Sequence, residues 1–123
     1  MKTVMLVDDS PTILMSMESI LTKAGYNVAK ASDGTEALGK LRAGEKPDLI
    51  ITDLNMPKMD GITLIREVRK LPGTRFTPIL VLTTESQQAK RQEARRAGAT
   101  GWMVKPVPAQ DLLKVIQQVI PGA

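Results

Sequence analysis

The sequence predicts an α/β fold, a (βα)5 arrangement in which a doubly wound, five-stranded parallel sheet carries helices on both faces. Two observations lead to this prediction. Short aliphatic runs alternate along the chain with stretches whose apolar residues recur at helical spacing. Runs such as LIIT and ILVL are also apolar on both faces, as expected of parallel strands covered by helices above and below. The 123 residues have the length of one ordinary domain, so we expect a single domain over 1–123.

Five short runs rich in β-branched and aliphatic residues are the predicted strands. They are TVMLV, NVAKA, DLIIT, PILVL and GWMV, at 3–7, 27–31, 48–52, 78–82 and 101–104. Apolar residues at helical spacing predict helices around 13–21, 37–41, 64–68 and 112–119. The segment from Gln87 to Ala97 has only alanines as apolar anchors, but its residues are good helix formers. We therefore predict a helix there as well.

Residues at the helix ends support this division of the chain. Ser10 followed by Pro11 is typical of a helix N-terminus, and Asp33 stands three residues before Glu36, at capping-box spacing. Glycines 25 and 98 fit the positions that follow a helix. The pair Asp60 and Gly61 predicts a turn and a helix start without a chemical role.

Composition excludes several kinds of chemistry. The chain has no cysteine and no histidine, which excludes disulfides, thiolate chemistry, histidine metal sites and Ser-His triads. The N-terminal MKTVMLVDDS is too short and too acidic for a signal peptide or a membrane span, so we expect a cytoplasmic protein. We also expect a monomer. The formal charge of +4 comes from dispersed bases. The one basic cluster, Lys90, Arg91, Arg95 and Arg96, encloses Glu93 and predicts a solvated helix face.

Polar residues stand at the carboxyl ends of four predicted strands, which share one edge of a doubly wound sheet. They are Asp8, Asp9, Asp53, Asn55, Thr83, Thr84 and Lys105. Three carboxylates together repel one another and should attract a hard cation, for which Mg²⁺ is suited. A threonine hydroxyl, an ammonium and a divalent cation around a carboxylate form a cage for a phosphoryl group. The sequence thus predicts that Asp53 is a nucleophile that forms an acyl phosphate.

Four motifs in this order resemble those of response-regulator receiver domains. They are VDDS at the first strand, DLNMPKMDG from Asp53, Thr83, and the KP of Lys105 and Pro106. The resemblance covers the whole chain and is strongest to the CheY-like single-domain chemotaxis regulators. It implies a flavodoxin-like strand order of 2-1-3-4-5 and a cis peptide bond before Pro106.

The resemblance also implies the role of each site residue. Asp53 would accept a phosphoryl group from a sensor histidine kinase, and Lys105 would contact the phosphoryl oxygens. Asp8, Asp9, Asp53 and the backbone carbonyl of Asn55 would hold Mg²⁺. Thr83 and Trp102 would form the switch, and Asn55 and Glu85 would tune access of the hydrolytic water. The surface formed by the fourth helix, fifth strand and fifth helix would then bind an output protein, for example a flagellar motor switch protein.

Three alternatives are weighed against that function. A phosphorelay intermediate or phosphate sink would use the same site, and the sequence leaves it open. A haloacid-dehalogenase phosphatase would carry its nucleophilic aspartate on the first strand, whereas Asp53 follows the third. Nucleic-acid binding through the Lys90 to Arg96 cluster lacks interleaved aromatic residues. Trp102 departs from the chemotaxis pattern, which usually has a tyrosine or smaller aromatic there, and its alternative role is to cover the core.

Overall fold

The predicted strands and helices are all present in the computed structural model, which describes residues 1–121. The strands are β1 (Thr3–Val7), β2 (Asn27–Ala31), β3 (Leu49–Thr52), β4 (Ile79–Thr83) and β5 (Gly101–Val104). The helices are α1 (Pro11–Lys23), α2 (Gly34–Arg42), α3 (Gly61–Lys70), α4 (Gln88–Ala97) and α5 (Ala109–Val119), and a short 3-10 turn spans Pro72–Thr74. The strand boundaries differ from the prediction by one residue at most, and the weakly patterned fourth helix is confirmed.

All five strands are parallel, in the order β2-β1-β3-β4-β5, which confirms the doubly wound fold. Val7, the last residue of β1, pairs with Ala31 of β2 and with Thr52 of β3. The carboxyl ends of these three strands are therefore level. Polar residues that directly follow β1 and β3 consequently meet at one edge of the sheet.

Alternate strand residues pack into two layers on opposite faces of the sheet. Met5, Val7, Ile50, Ile79 and Val81 share one buried cluster with side chains of α2, α3 and α4. Val4, Leu6, Leu49, Ile51, Leu80 and Leu82 share the other with side chains of α1 and α5. Burial on both faces explains the continuous apolar runs in the sequence. No helix within residues 1–121 has the length and apolarity needed to cross a membrane.

The helix ends follow the predicted caps, with one difference. The Ser10 hydroxyl accepts a hydrogen bond from the N–H of Ile13 at 3.3 Å, and Asp33 accepts one from the N–H of Glu36 at 2.8 Å. Glu36, however, accepts from the N–H of Ser32 at 2.7 Å, whereas an ordinary capping box returns to the N-cap residue itself. Glu36 is thereby hydrogen-bonded to Ser32, the residue before the N-cap, in the loop between β2 and α2.

The side chain of Arg69 connects the end of α3 to two other backbone segments. Its guanidinium donates to the carbonyl oxygens of Thr74 at 3.1 Å and Thr77 at 2.6 Å, in the connection to β4. It also donates to the carbonyl of Gly98, after α4, at 2.8 and 3.2 Å. Burial lowers the pKa of Arg69 from its ordinary value. These bonds fix the turn that leads from α4 into β5.

Tyr26 buries a hydroxyl that has no hydrogen-bond partner among the described residues. A buried hydroxyl without a partner costs free energy that a hydrogen atom in its place would not. We therefore expect Tyr26→Phe to raise the free energy of unfolding by about 1 kcal/mol. Urea unfolding of both forms, followed by tryptophan fluorescence, measures this difference. A fall in stability for the variant would show that the hydroxyl has a partner, such as an ordered water.

Candidate functional site

Asp8 lies directly after β1 and is held on several sides. Its N–H donates to the carbonyl of Ala31 at 3.1 Å, which extends the β1–β2 ladder by one residue. One carboxylate oxygen accepts from the N–H of Ser10 at 2.9 Å. The residue is only 4% exposed. A carboxylate so far removed from water needs a cationic partner to remain charged at low cost.

Asp53 lies directly after β3, beside Asp8. Its N–H donates to the carbonyl of Val7 at 2.9 Å, which fixes its backbone against β1. Its Oδ1 accepts from the N–H of Leu54 at 2.7 Å. The side chain retains some exposure, at 13%. Asp53 is therefore well positioned and still reachable from solvent.

Lys105 joins these two carboxylates. Its N–H donates to the carbonyl of Thr83 at 2.8 Å, and the peptide bond from Lys105 to Pro106 is cis, as the resemblance implied. The Nζ lies 2.7 Å from Oδ2 of Asp8 and 3.4 Å from Oδ2 of Asp53. The lysine side chain is 14% exposed, so the ion pairs are more shielded than typical surface pairs.

Asp9 completes a cluster of three carboxylates. One oxygen from each of Asp8, Asp9 and Asp53 lies within 4.8 Å of the others. Three carboxylates against the single ammonium of Lys105 leave a local excess of negative charge. Closely spaced carboxylate oxygens are the donors that Mg²⁺ prefers, so the residues present fit this ion. The predicted convergence of strand-end residues is therefore observed for all three aspartates and Lys105.

Thr83 and Glu85 lie at the adjoining end of β4. The hydroxyl of Thr83 is fully buried and accepts a hydrogen bond from the N–H of Glu85 at 3.2 Å. The Glu85 carboxylate accepts from the N–H of Gln87, at the start of α4, also at 3.2 Å. The two residues thus connect the end of β4 to α4. Because the Thr83 hydroxyl oxygen acts here as an acceptor, the O–H group can still donate a hydrogen bond to another partner.

The structure places Trp102 on β5, away from the acidic cluster. Trp102 pairs with Val81 of β4, and Thr83 lies two residues beyond Val81. Because side chains alternate along a strand, Thr83 and Trp102 point to the same face of the sheet. The indole is partly buried against the α2–α3–α4 layer.

Asn55 is exposed in the loop after Asp53 and lines a small cavity, of about 100 Å³, between α3 and α4.

One family model matches most of the chain. The family model described as "Response regulator receiver domain" matches residues 4–117. The chain belongs to the response regulator receiver domain family. The carboxylate cluster and, except for Thr3 at the start of β1, all five strands of this receiver domain lie within the matched residues.

Relatives of this receiver domain cover almost its whole length. It is 34% identical to the protein PilH of Pseudomonas aeruginosa over 99% of its own chain and 100% of PilH. It is 38% identical to the chemotaxis protein CheY of the same organism, over 94% of each chain. The chemotaxis protein CheY4 of Vibrio cholerae has a similar structure, with a TM-score of 0.93, 46% identity and coverage of 98% and 99% of the two chains.

A further solved structure bears on the metal. The receiver domain of the sensor histidine kinase PA1611 from Pseudomonas aeruginosa is 29% identical, with a TM-score of 0.88 and coverage of 97% of both chains. That structure has a magnesium ion coordinated in its active-site cleft. The acidic cluster of the present receiver domain thus fits Mg²⁺ by its donor atoms, and a similar domain holds that ion.

Gly61 is a residue of this receiver domain that the sequence analysis assigned only to a turn and a helix start, and α3 does begin there. Asp60 does cap α3, since its carboxylate accepts from the N–H of Thr63 at 2.8 Å. A Cβ at Gly61, however, would lie 2.4 Å from the carbonyl oxygen of Asp53 and 2.9 Å from Cα of Leu54. The backbone of α3 therefore packs directly on the backbone of Asp53. The Asp-Gly pair in the sequence is typical of a turn and gives no sign of this contact.

Proposed function

We propose that this receiver domain is a stand-alone response regulator that accepts a phosphoryl group from a sensor histidine kinase on Asp53. The observation that carries the proposal is the position of the Lys105 ammonium, shared between Asp8 and Asp53 inside a three-carboxylate cluster. Such a group can neutralise charge on phosphoryl oxygens as they arrive. An ionised carboxylate needs no general base, which agrees with a chain that lacks histidine and cysteine.

The hydrogen bonds favour Asp53 over Asp8 as the nucleophile. Both oxygens of Asp8 have short contacts, with the N–H of Ser10 and the Nζ of Lys105, and the residue is nearly inaccessible. Oδ2 of Asp53 has only the longer 3.4 Å contact with Lys105. In the proposed step an oxygen of Asp53 forms a bond to phosphorus, while the bond from phosphorus to the donor's imidazole nitrogen breaks.

Asp8, Asp9, Asp53 and the backbone carbonyl of Asn55 would hold Mg²⁺ at this site. When bound, the ion supplies positive charge that stabilises the phosphoryl oxygens during transfer. Lys105 supplies a second positive charge from the protein itself, and it orients the carboxylate of Asp53. Removal of either positive charge is expected to slow transfer, because the neighbouring carboxylates would then repel the negative charge of the phosphoryl oxygens without compensation.

Thr83 and Trp102 would transmit the change to the surface. The Thr83 hydroxyl would donate a hydrogen bond to a phosphoryl oxygen, so the side chain would move toward Asp53. The vacated space lies on the same sheet face as Trp102, whose indole is only partly buried. A shift of the indole would alter the surface formed by α4, β5 and α5. A partner that prefers one arrangement then binds in a phosphorylation-dependent way.

The partner proposed for this surface is a flagellar motor switch protein, because relatives named for chemotaxis cover nearly the whole chain. Titration of the purified motor protein, with and without acetyl phosphate and Mg²⁺, tests this. Affinity that rises with phosphorylation supports the chemotaxis role. Phosphorylation without any change in affinity would support the relay or phosphate-sink alternative. Steady turnover of added phosphoesters would instead support the phosphatase alternative.

The kinase is tested separately, by phosphotransfer from an autophosphorylated histidine kinase of the same cell. Loss of label from the kinase, with its appearance on the receiver domain, is expected for wild type. The Asp53→Asn variant should leave the label on the kinase. Transfer to the variant at the wild-type rate would contradict Asp53 as the acceptor.

Glu85 is expected to influence how long the phosphoryl group persists. Its backbone N–H holds the Thr83 hydroxyl, and its carboxylate stands at the start of α4, beside the site. With Asn55, it would control the approach of the hydrolytic water. Glu85→Ala should therefore change the rate of dephosphorylation several-fold, measured by loss of the adduct after removal of the donor. An unchanged rate would remove Glu85 from this role.

A further inference from the structure

The single phenylalanine of the chain, Phe76, lies on the surface. The chain has one tyrosine, one tryptophan and one phenylalanine. Tyr26 is buried and Trp102 is partly buried, whereas Phe76 is 88% exposed. It stands in the connection between the 3-10 turn and β4. Single exposed apolar side chains are common, so the surroundings of Phe76 decide whether it marks a binding surface.

The backbone on both sides of Phe76 is fixed. The guanidinium of Arg69 donates to the carbonyl oxygen of Arg75 at 3.2 Å and to that of Thr77 at 2.6 Å, directly before and after Phe76. The N–H of Thr77 also donates to the carbonyl of Thr74 at 3.2 Å. The turn therefore presents the phenyl ring to solvent in a formed backbone, which a partner need not order.

Phe76 lies at the edge of the sheet where the strands begin, opposite the acidic cluster. Continued past the strand starts, the register of β1, β3 and β4 brings Lys2, Pro47 and Phe76 level with one another. The Cε atom of Lys46 lies 3.7 Å from the position that a Cβ on Gly73 would occupy, so the Lys46 side chain lies against the 3-10 turn. We call this surface the amino edge, and it comprises residues 1–2, 45–48 and 72–77.

Bases that are dispersed in the sequence collect around Phe76. The amino edge has three cations, which are Lys2, Lys46 and Arg75. Within residues 1–121 these three cations have no ion pair. Of the two acids at this edge, Glu45 is exposed, and the carboxylate of Asp48 accepts a hydrogen bond from a backbone N–H of β1 at 2.8 Å. The cations thus outnumber the carboxylates at the amino edge.

The ends of three helices add positive charge beside the amino edge. Helices that connect parallel strands run back toward the strand starts, so α1, α2 and α3 end there. Their last residues are Lys23, Arg42 and Lys70. Glu67 neutralises part of this charge through ion pairs with Lys70 at 3.0 Å and Arg42 at 4.0 Å. This end of the molecule is therefore positive, while the opposite edge of the sheet holds the carboxylate cluster.

We propose that the amino edge binds the surface of a bilayer that contains anionic lipids, with the phenyl ring of Phe76 at the level of the headgroups. Lysine and arginine near such a surface are attracted to anionic headgroups, and their aliphatic stems can lie along the apolar boundary. Aromatic rings beside cations are typical of peripheral membrane contacts, and one ring with a few cations gives weak, reversible binding. This surface lies outside the proposed phosphorylation site, and the proposal does not depend on phosphorylation of Asp53.

The distribution of charge also sets the orientation of the bound domain. A negatively charged surface attracts the amino edge and repels the three carboxylates at the opposite edge, so the site around Asp53 faces away from the lipid. A bilayer fits the amino edge better than a nucleic acid does. Single-stranded nucleic acids stack their bases on several aromatic side chains along a basic groove, whereas here one ring stands out from a turn.

Cosedimentation of the full chain with vesicles tests the proposal. Vesicles of phosphatidylglycerol and phosphatidylcholine in equal parts are compared with vesicles of phosphatidylcholine alone. The double variant K46Q/R75Q is matched by R91Q/K114Q, which loses the same charge at exposed positions of α4 and α5. F76A is matched by M15A, which shortens an exposed apolar side chain of α1. Circular dichroism checks that each variant is folded.

We expect wild type, R91Q/K114Q and M15A to bind the anionic vesicles with similar affinity and to leave the phosphatidylcholine vesicles unbound. K46Q/R75Q should bind at least roughly tenfold more weakly, since each cation near an anionic membrane contributes about fivefold. F76A should bind several-fold more weakly. No binding of wild type, equal weakening in both double variants, or an unchanged affinity for F76A would overturn the proposal. Displacement of wild type from the vesicles by oligothymidylate at equal charge would also overturn it, in favour of nucleic acid.

Discussion

Gly61→Ala is expected to destabilise the domain by roughly 3 kcal/mol, because the added Cβ would overlap the Asp53 backbone. The nearest atom, the carbonyl oxygen of Asp53, lies at 2.4 Å and belongs to the residue directly after β3, whose N–H is bonded to the carbonyl of Val7 in β1. Helix propensity alone predicts the opposite, a gain of about 1 kcal/mol for alanine over glycine. The steric cost is larger than the gain in helix propensity, so the free energy of unfolding is expected to fall.

Gly39→Ala is the matched control for this prediction. Gly39 is also in a helix, α2, but it is exposed and a Cβ there would meet nothing within 4 Å. This variant should gain about 0.5–1 kcal/mol from helix propensity. Urea unfolding of both variants and wild type, followed by circular dichroism, measures the differences. Equal stability of Gly61→Ala and Gly39→Ala would show that α3 does not pack on the Asp53 backbone as described.

Mg²⁺ is expected to raise the melting temperature of wild type and to leave Asp9→Ala unaffected. The unfolded chain cannot assemble the three carboxylates, so the ion binds the folded state and stabilises it by mass action. At a hundredfold excess over the dissociation constant, this amounts to about 2.7 kcal/mol. Asp9 is the informative position because it is exposed and carries no ion pair in the described part of the chain. Its replacement should leave the fold intact.

Thermal melts with Mg²⁺ at constant ionic strength test this expectation. Glu45→Ala removes an exposed carboxylate from the loop before β3, at the opposite edge of the sheet, and serves as control. Glu45→Ala should show the full wild-type shift. An equal shift in Asp9→Ala would mean that Asp9 is not a ligand, and that Mg²⁺ acts elsewhere or by screening alone.

Local sequence pattern was sufficient to place the strands and helices. Strands such as LIIT are apolar on both faces because helices cover both faces of the sheet. A run of four residues is enough to show this pattern. The convergence of Asp8, Asp53 and Lys105 follows from the rule that parallel strands end at one edge. The strand order itself came from the resemblance to receiver domains, since alternating strands and helices are compatible with several orders.

Contacts between distant segments were not predictable from local pattern. Gly61 meets Asp53 only because α3 crosses the end of β3, and a turn-forming glycine has the same appearance in the sequence. Arg69 reaches Gly98, 29 residues away, and nothing local marks it. The division of the basic cluster on α4 also depends on its neighbours. Glu93 and Lys90 face Arg66 of α3, while Arg91 and Arg95 face Trp102 of β5.

The most direct test of the account is phosphorylation by acetyl phosphate in the presence of Mg²⁺, scored by intact mass. Wild type is expected to gain one phosphoryl group, which alkaline hydroxylamine removes, as it does from an acyl phosphate. Asp60→Asn, which keeps a side chain able to cap α3, should behave as wild type, and Asp53→Asn should gain nothing. A folded wild-type protein that takes up no phosphoryl group, or an Asp53→Asn variant that does so equally, would contradict the account.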